Sequence, residues 1–328
     1  PWSHRRGPPH YPSLSLQDAR RKALAALAAP EEKSPPPTFP EAREAFLAKH
    51  GPALRPRSLY QLTRNLQRHF SWKTTLDKIT HYDVATALEA IAAPSQRAHA
   101  LKDIRTFFNW CVPRYLPSSP CVGLKKPTQQ PRDRTLSDNE LKCVWRKAEE
   151  IGYPYGTIVQ LLVLTGQRSG EIAALRWDWI EGDTLTIPAA IAKNSRATTI
   201  PIGKMTQGII ADVPRFAPLL FPARGYDDKP FRGFGTRKLV LDECGVSDFT
   251  HHDLRRTFAT NLAALGVRLE VTEKLLNHVS GSLGGIVSVY QRHDFRGEMR
   301  TAIEAWEKRL SFILAQHNSD DSNSSPHP

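Results

Sequence analysis

The chain has 328 residues, 40% of them hydrophobic and 24% charged, enough for two domains with sizeable cores and ordinary for a globular protein. Its 45 Lys+Arg outweigh 33 Asp+Glu, and residues 38–127 hold 14 basic against 6 acidic residues, a local +8 against +3 before and +1 after; such a segment suits a polyanion, whether DNA, RNA or anionic lipid. Scattered Cys111, Cys121, Cys143 and Cys244 form no C-x-x-C pair, which argues against a zinc site or disulfide framework, and no apolar run of transmembrane length or signal peptide is visible.

Residues 1–12 (PWSHRRGPPHYP) are too rich in Pro for a core, residues 16–29 read as one Ala-rich helix ended by Pro30, and the proline cluster at 31–40 reads as a linker. Residues 1–37 are thus an N-terminal remnant and linker, in a chain that lacks an initial Met and so reads as a fragment or processed product. Residues 38–123 form a compact helical domain: apolar residues recur at helical spacing in EAREAFLAKH, SLYQLTRNLQRHF, DVATALEAI and QRAHALKDIRTFFNW. Thr80 and Ser95 stand where N-caps are expected, with Pro94 between the last two helices. These four or so helices carry Arg57, Arg64, Arg68, Lys73, Arg97, Lys102 and Arg105. Any one of them alone is better read as a solvated helix face; as a group they make a basic bundle.

Residues 124–135 read as a polar linker. The domain at 136–316 opens with a capping box, Ser137 to Glu140, followed by an apolar helix at 156–165. Strand-like runs at 183–188 and 198–202 flank the polar turn AKNSRA, and helical patterns follow at 235–244, 253–265, 268–276, 284–290 and 295–315. The tail 317–328 reads as disordered. The chain is therefore expected to be mainly α with a small β-sheet.

The chemistry-bearing residues lie in this second domain. TGQRSGEI places Arg168 just after a glycine turn, where its planar fork suits a phosphate, with Glu171 one turn on to orient it. Lys193 sits at the hairpin tip, where Arg196 competes as the basic group. Between residues 250 and 290 stand His252, Arg255, His278 and Tyr290. His-x-x-Arg puts His252 and Arg255 on one helix face. The arginine and the two histidines could hydrogen-bond one phosphate diester, whose non-bridging oxygens need such clamps in the transition state, and Tyr290 could attack it. Clustered histidines could also suggest a metal, but no carboxylate or cysteine completes a ligand pattern.

Arg168, Lys193, His252-x-x-Arg255, His278 and Tyr290, in that order, resemble the catalytic signature of the tyrosine recombinase (phage integrase) family. The resemblance covers roughly residues 38–316 and is most specific in 163–176 and 250–292. It implies a helical core-binding bundle that clamps one face of the duplex, followed by an α/β catalytic domain. The implied chemistry is two transesterifications through a 3′-phosphotyrosyl intermediate. Arg168 and Arg255 would clamp the phosphate, His252 would move the tyrosine's proton, and Lys193 would protonate the leaving 5′ oxygen. The family register HDLRRTFAT selects His252 over His251 and Arg255 over Arg256. His278 falls where relatives carry His or Trp. Two departures stand out: Asn277 replaces the usual glycine, and twelve residues separate His278 from Tyr290, longer than in many relatives, the excess falling in GSLGG. The run YPSLSLQDARRKA resembles the end of a small N-terminal DNA-binding domain of one integrase branch, and the helix MRTAIEAWEKRLSFIL resembles one that relatives dock on a neighbouring subunit.

No cofactor and no metal are implied. The implied partners are double-stranded DNA attachment sites, further copies of the chain in a synaptic tetramer, and accessory DNA-bending proteins; no membrane is involved. The implied setting is the cytoplasm of a bacterium or phage-infected cell, on DNA. The alternatives are a catalytically silent recombinase-like DNA-binding regulator and a type IB topoisomerase-like enzyme.

Overall fold

The computed structural model describes residues 15–28, 35–128, 132–246, 248–278 and 293–316, and the chain divides into two compact units, 1–131 and 132–328. The helix expected at 284–290 and the tail 317–328 lie outside the described residues.

The first unit holds α1 (Leu16–Ala28), α2 (Phe39–His50), α3 (Pro56–His69), α4 (His81–Glu89) and α5 (Pro94–Cys111). Prolines open α3 and α5, where the missing N–H has no helical partner in any case. Pro94 is thus the first helical residue after an Ala93 cap, and the expected cap Ser95 lies inside the helix. Thr80 does cap α4: its hydroxyl accepts from Asp83 N, and the Asp83 carboxylate accepts from Thr80 N at 2.8 Å. Phe39, Phe46, Leu66, Phe70, Phe107 and Phe108 are fully buried. Phe107 meets Phe39 and Phe46 edge-on, with centroids 5.0 and 5.6 Å away, a geometry that adds ring electrostatics to the burial.

The seven basic side chains singled out in this unit fall into two groups. Arg57, Arg64, Arg68, Lys73 and Lys102 are exposed, the first three sharing one face of α3 by their spacing. Arg97 and Arg105 are half-buried: Arg97 donates twice to Ile91 O, at 3.0 and 2.8 Å, and Arg105 to Leu124 O at 2.6 Å. These two therefore brace the segments that enter and leave α5. Lys102 and Arg105 also line a surface cavity of about 350 Å³ along α5, with His99, Asn109 and Lys126.

The second unit comprises α6 (Asp138–Ile151), α7 (Tyr155–Thr165), α8 (Ser169–Ala173), β1 (Ile180–Glu181), β2 (Thr184–Ile187), β3 (Thr198–Pro201), α9 (Lys204–Ala211), α10 (Phe234–Asp242), α11 (His251–Ala264), α12 (Leu269–Leu275) and α13 (Arg296–Ala315). Ser137 and Glu140 cap α6 reciprocally, and Arg134 holds the Glu140 carboxyl down at about 2. Helix α7 is almost wholly buried because other elements surround it. Against α6, a Cβ on Gly156 would lie 1.9 Å from Ala148 O, so only glycine lets the two backbones touch. From α13, buried Trp306 donates to Val163 O at 3.1 Å and meets Phe258 edge-on. The sheet is antiparallel in the order β1-β2-β3, with Leu185 opposite Ile200, both buried. The two-residue β1 was not foreseen, being too short to show an alternation.

Candidate active site

Three turns converge in the second unit: the end of α7, the start of α11 and the end of α12. Gly166 ends α7 in the left-handed region, φ +63°, where a Cβ would also sit 2.5 Å from Phe258 Cδ1 and 2.9 Å from Leu276 Cδ2. Glycine is thus required twice over, for conformation and for close approach. Buried Gln167 follows, its amide nitrogen donating to Thr165 O at 3.1 Å and to Leu275 O at 2.8 Å, which stitches the turn to α12.

Arg168 comes next, at the N-cap of α8. Its guanidinium donates to Glu171 Oε1 at 3.0 Å and its backbone N to Glu171 Oε2 at 3.2 Å. Glu171 is buried, and its Oε1 also accepts from Lys193 N at 3.4 Å. One carboxylate therefore orients the arginine and touches the hairpin turn.

Arg255, only 3% exposed, projects from α11. It donates through Nη1 to Gly166 O at 2.9 Å and through Nη2 to Leu276 O, so one side chain ties the Arg168 turn to the residue two before His278. Its buried Nε has no partner. Burial, then the neighbouring charge of Arg168, pushes Arg255 down to about 10, so it stays cationic at neutral pH. The start of α11 is fixed by Asp253, fully buried, which accepts from Thr250 N and Oγ1, from Arg132 Nε at 2.8 Å and from Arg256.

The two site histidines share this field. Partial burial, then the charges of Arg256 and Arg255, lower His252 below the ordinary imidazole range, with Arg168 adding to the effect and Asp253 opposing it. Partial burial, then Arg255, Arg168 and His252, pushes His278 down to about 4. Both rings are therefore neutral at pH 7, each able to donate one N–H and accept at the other nitrogen. His251 has a different place. Its Nε2 lies 2.8 Å from Tyr155 Oη and its ring meets Phe234 edge-on; burial, then Lys238, pushes it down to about 4. It is the first residue of α11 and packs against α7 and α10.

Lys193 is exposed in the turn between β2 and β3. Beside it, Asn194 Nδ2 donates to Asn277 O and Oδ1, both at 2.9 Å, and Asn277 Nδ2 donates back to Arg196 O at 3.0 Å. Tyr290 lies outside the described residues. Tyr226, another tyrosine of the second unit, lies under the Lys229 ammonium and lines a separate cavity of about 810 Å³ with Tyr153, Phe216 and Arg232. Arg168, His252, Arg255 and His278 do not line that cavity.

Arg168, Glu171, His252, Arg255 and His278 are thus drawn into one electropositive cluster, with the backbone of Lys193 attached to it through Glu171. Sequence reasoning missed the roles of Gln167, Asn194 and Arg132. Asn194 pairs with a residue 83 positions away, for which a single sequence carries no signal.

Residues 134–296 match the model of the phage integrase family. The prophage integrase IntZ of Escherichia coli K12 is 26% identical over 257 residues, 74% of this chain and 63% of that protein. The tyrosine recombinase XerC of Staphylococcus epidermidis RP62A is 26% identical over 202 residues, 56% of this chain and 67% of its own length. Among solved structures, a lambda integrase tetramer bound to a Holliday junction matches with a TM-score of 0.62 at 14% identity, over 83% of this chain and 90% of that one. The Tn1549 transposon integrase with a circular intermediate DNA matches at 0.59 and 14%, over 81% and 99%. The fold is that of the integrases, mainly helical with one small sheet. Residues 134–296 are thus a phage integrase family domain, in a chain similar to tyrosine recombinases. It spans a little under two thirds of the length of the prophage integrase. Among the described residues no helix is long and apolar enough to cross a membrane.

Proposed function

We propose that the chain is a site-specific DNA recombinase that integrates or excises a mobile element by cutting and rejoining strands through a 3′-phosphotyrosyl intermediate. The observation that carries the reading is the cationic cluster, in which Arg255 is buried, Arg168 half-buried and His252 and His278 exposed. Two guanidiniums and two neutral imidazoles lie within mutual electrostatic reach, Glu171 is the carboxylate that faces Arg168, and the buried Arg255 Nε lacks an acceptor. A phosphate diester supplies the missing acceptor and the missing negative charge together.

In this reading Arg168, Arg255 and His278 hold the non-bridging oxygens. The two guanidiniums are held by Glu171, Gly166 O and Leu276 O before substrate arrives, so they need little reorganisation as charge develops. Tyr290 Oη attacks phosphorus and gives its proton to neutral His252. The bond from phosphorus to the 5′ oxygen breaks, and that oxygen takes a proton from Lys193. The 5′ hydroxyl of a partner strand then reverses the sequence, so the bond's energy is kept and no external energy source is needed. The bundle at 38–123 would grip the duplex through phosphates, with Arg57, Arg64, Arg68, Lys73 and Lys102 the free contacts. The substrates would be duplex attachment sites, engaged by four copies in the cytoplasm of a bacterial host. The lambda integrase tetramer on a Holliday junction supports that assembly by analogy of fold.

The test is Tyr290→Phe on a suicide duplex carrying the ends of the element that encodes the chain. Wild type should form a covalent adduct visible on a denaturing gel, while the variant binds the duplex and forms none. An adduct in the variant would reject Tyr290 and point to Tyr226. Relaxation of plasmids without the site would indicate a topoisomerase, and binding by wild type with no adduct a silent regulator.

A further inference from the structure

We infer that Asn194 and Asn277 are positioning residues: they form an amide clasp that holds the Lys193 turn in register with His278. The inference rests on the recombinase reading for what Lys193 does, and on geometry for the clasp itself.

Asn277 has φ +48°, the left-handed region that glycine enters freely and asparagine tolerates better than other side chains. A glycine here would satisfy the backbone equally well and offer nothing further. Asparagine adds an amide that bridges 83 residues of chain. Asn194 Nδ2 donates to both Asn277 O and Asn277 Oδ1. In return Asn277 Nδ2 donates to Arg196 O at 3.0 Å and to Asn194 Oδ1 at 3.3 Å, and Asn194 Oδ1 also accepts from Arg196 N at 3.2 Å. Both amides are thus engaged on both their oxygen and nitrogen sides. They fix the turn at the residue after Lys193 and fix the chain leaving α12 at the residue before His278.

The clasp closes a ring of contacts. Glu171 joins Arg168 to the Lys193 backbone, Arg255 joins the Arg168 turn to Leu276, and the clasp joins residue 277 back to residue 194. The Lys193 side chain is long and exposed, and the clasp fixes the backbone on its C-terminal side, as the 3.4 Å contact to Glu171 and the buried Ala192 fix it at and before Lys193. A general acid must stand within hydrogen-bond reach of the departing oxygen, and small misplacement of a reacting group costs heavily.

Asn277→Gly removes the amide and keeps the backbone conformation, so folding is not at issue. Without DNA, hydrogen exchange at residues 193–196 should quicken about tenfold or more as the turn opens locally, while the core of α7 is unchanged. With DNA, single-turnover cleavage by Asn277→Gly should slow by roughly 10- to 100-fold. Replacing the bridging 5′ oxygen by sulfur, which leaves without a proton donor, should largely restore it, as it should for the reference variant Lys193→Ala. Asn194→Ala should behave alike, and the double variant should be no worse than either single one. Unchanged exchange at 193–196, additive defects, or a cleavage defect that sulfur leaves in place while rescuing Lys193→Ala would each overturn the inference. A wild type that makes no adduct while exchange responds as expected would reject the recombinase reading and keep the clasp.

Discussion

The two units use the same residue type, arginine, in opposite ways. On α3 of the first unit, Arg57, Arg64 and Arg68 stand exposed on one helix face. In the second unit Arg255 is buried and bridges two backbone carbonyls, and Arg168 is fixed by the buried Glu171. Exposed guanidiniums keep their rotamer freedom and their water, so each adds a small, salt-sensitive increment to affinity. Buried ones have already lost both, and their donors are pre-aimed. What stands behind the arginine decides its job, and each variant below tests one side of that contrast.

The largest effect is expected at Arg255. Arg255→Ala strands Gly166 O and Leu276 O as buried acceptors, which costs about 1–3 kcal/mol each. It also removes a phosphate clamp, worth about 100- to 1,000-fold in cleavage rate. Urea unfolding and single-turnover cleavage should therefore both fall. Arg255→Lys should recover part of the stability and little of the rate, because an ammonium cannot present the same fork to two carbonyls and a phosphate. An alanine variant as stable as wild type would show that Arg255 does not tie the three turns together.

Glu171→Gln should be milder, about 10- to 100-fold in rate, with binding of duplex nearly unchanged. The amide preserves shape and one acceptor but loses the charge that orients Arg168. Equal losses in binding and rate would instead place Glu171 in general folding of α8.

His251 gives the pH test. Its folded-state pKa is pushed down to about 4 by burial and by Lys238, below the ordinary value near 6.5. The unfolded chain therefore binds more protons between about pH 4 and 6.5, and stability rises with pH across that window. The contribution is fully present above about 6.5 and is lost as pH falls toward 4. His278 falls in the same window, so His251→Gln should flatten the pH dependence of the melting temperature only in part, while adduct formation at pH 7.5 stays close to wild type. An unaltered slope would mean that His251 does not titrate there.

The sequence made some of this legible and hid the rest for physical reasons. Motifs whose members are near in sequence were readable: the α6 capping box, His252-x-x-Arg255 on one helical face, and the glycine that turns α7 into Arg168. Helix periods were readable too, although proline moved the start of α5 ahead of the expected Ser95 cap. Contacts made across the fold left no local trace. Arg97 and Arg105 look in sequence like Arg64, and only their carbonyl partners set them apart. Gln167 and Asn194 read as ordinary polar turn residues until α12 is packed beside them.

The smallest effect separates the two kinds of arginine within the first unit itself. Arg64→Ala removes an exposed charge that makes no contact with the core, so the melting temperature should hardly move. If Arg64 meets a phosphate, the variant should bind duplex more weakly at every sequence, and the slope of log affinity against log salt should fall by about one. His69 supplies an internal reporter: burial first, then Arg68 and Arg64, holds its pKa below the ordinary range. Arg64→Ala should therefore raise the His69 pKa, which an NMR titration reads without DNA. Arg105→Ala is the counterpart. It leaves Leu124 O without its donor, so it should lower stability by about 1 kcal/mol and leave the His69 titration where it was. If both variants change the salt slope alike and neither changes stability, the division between bracing and gripping arginines in this bundle is wrong.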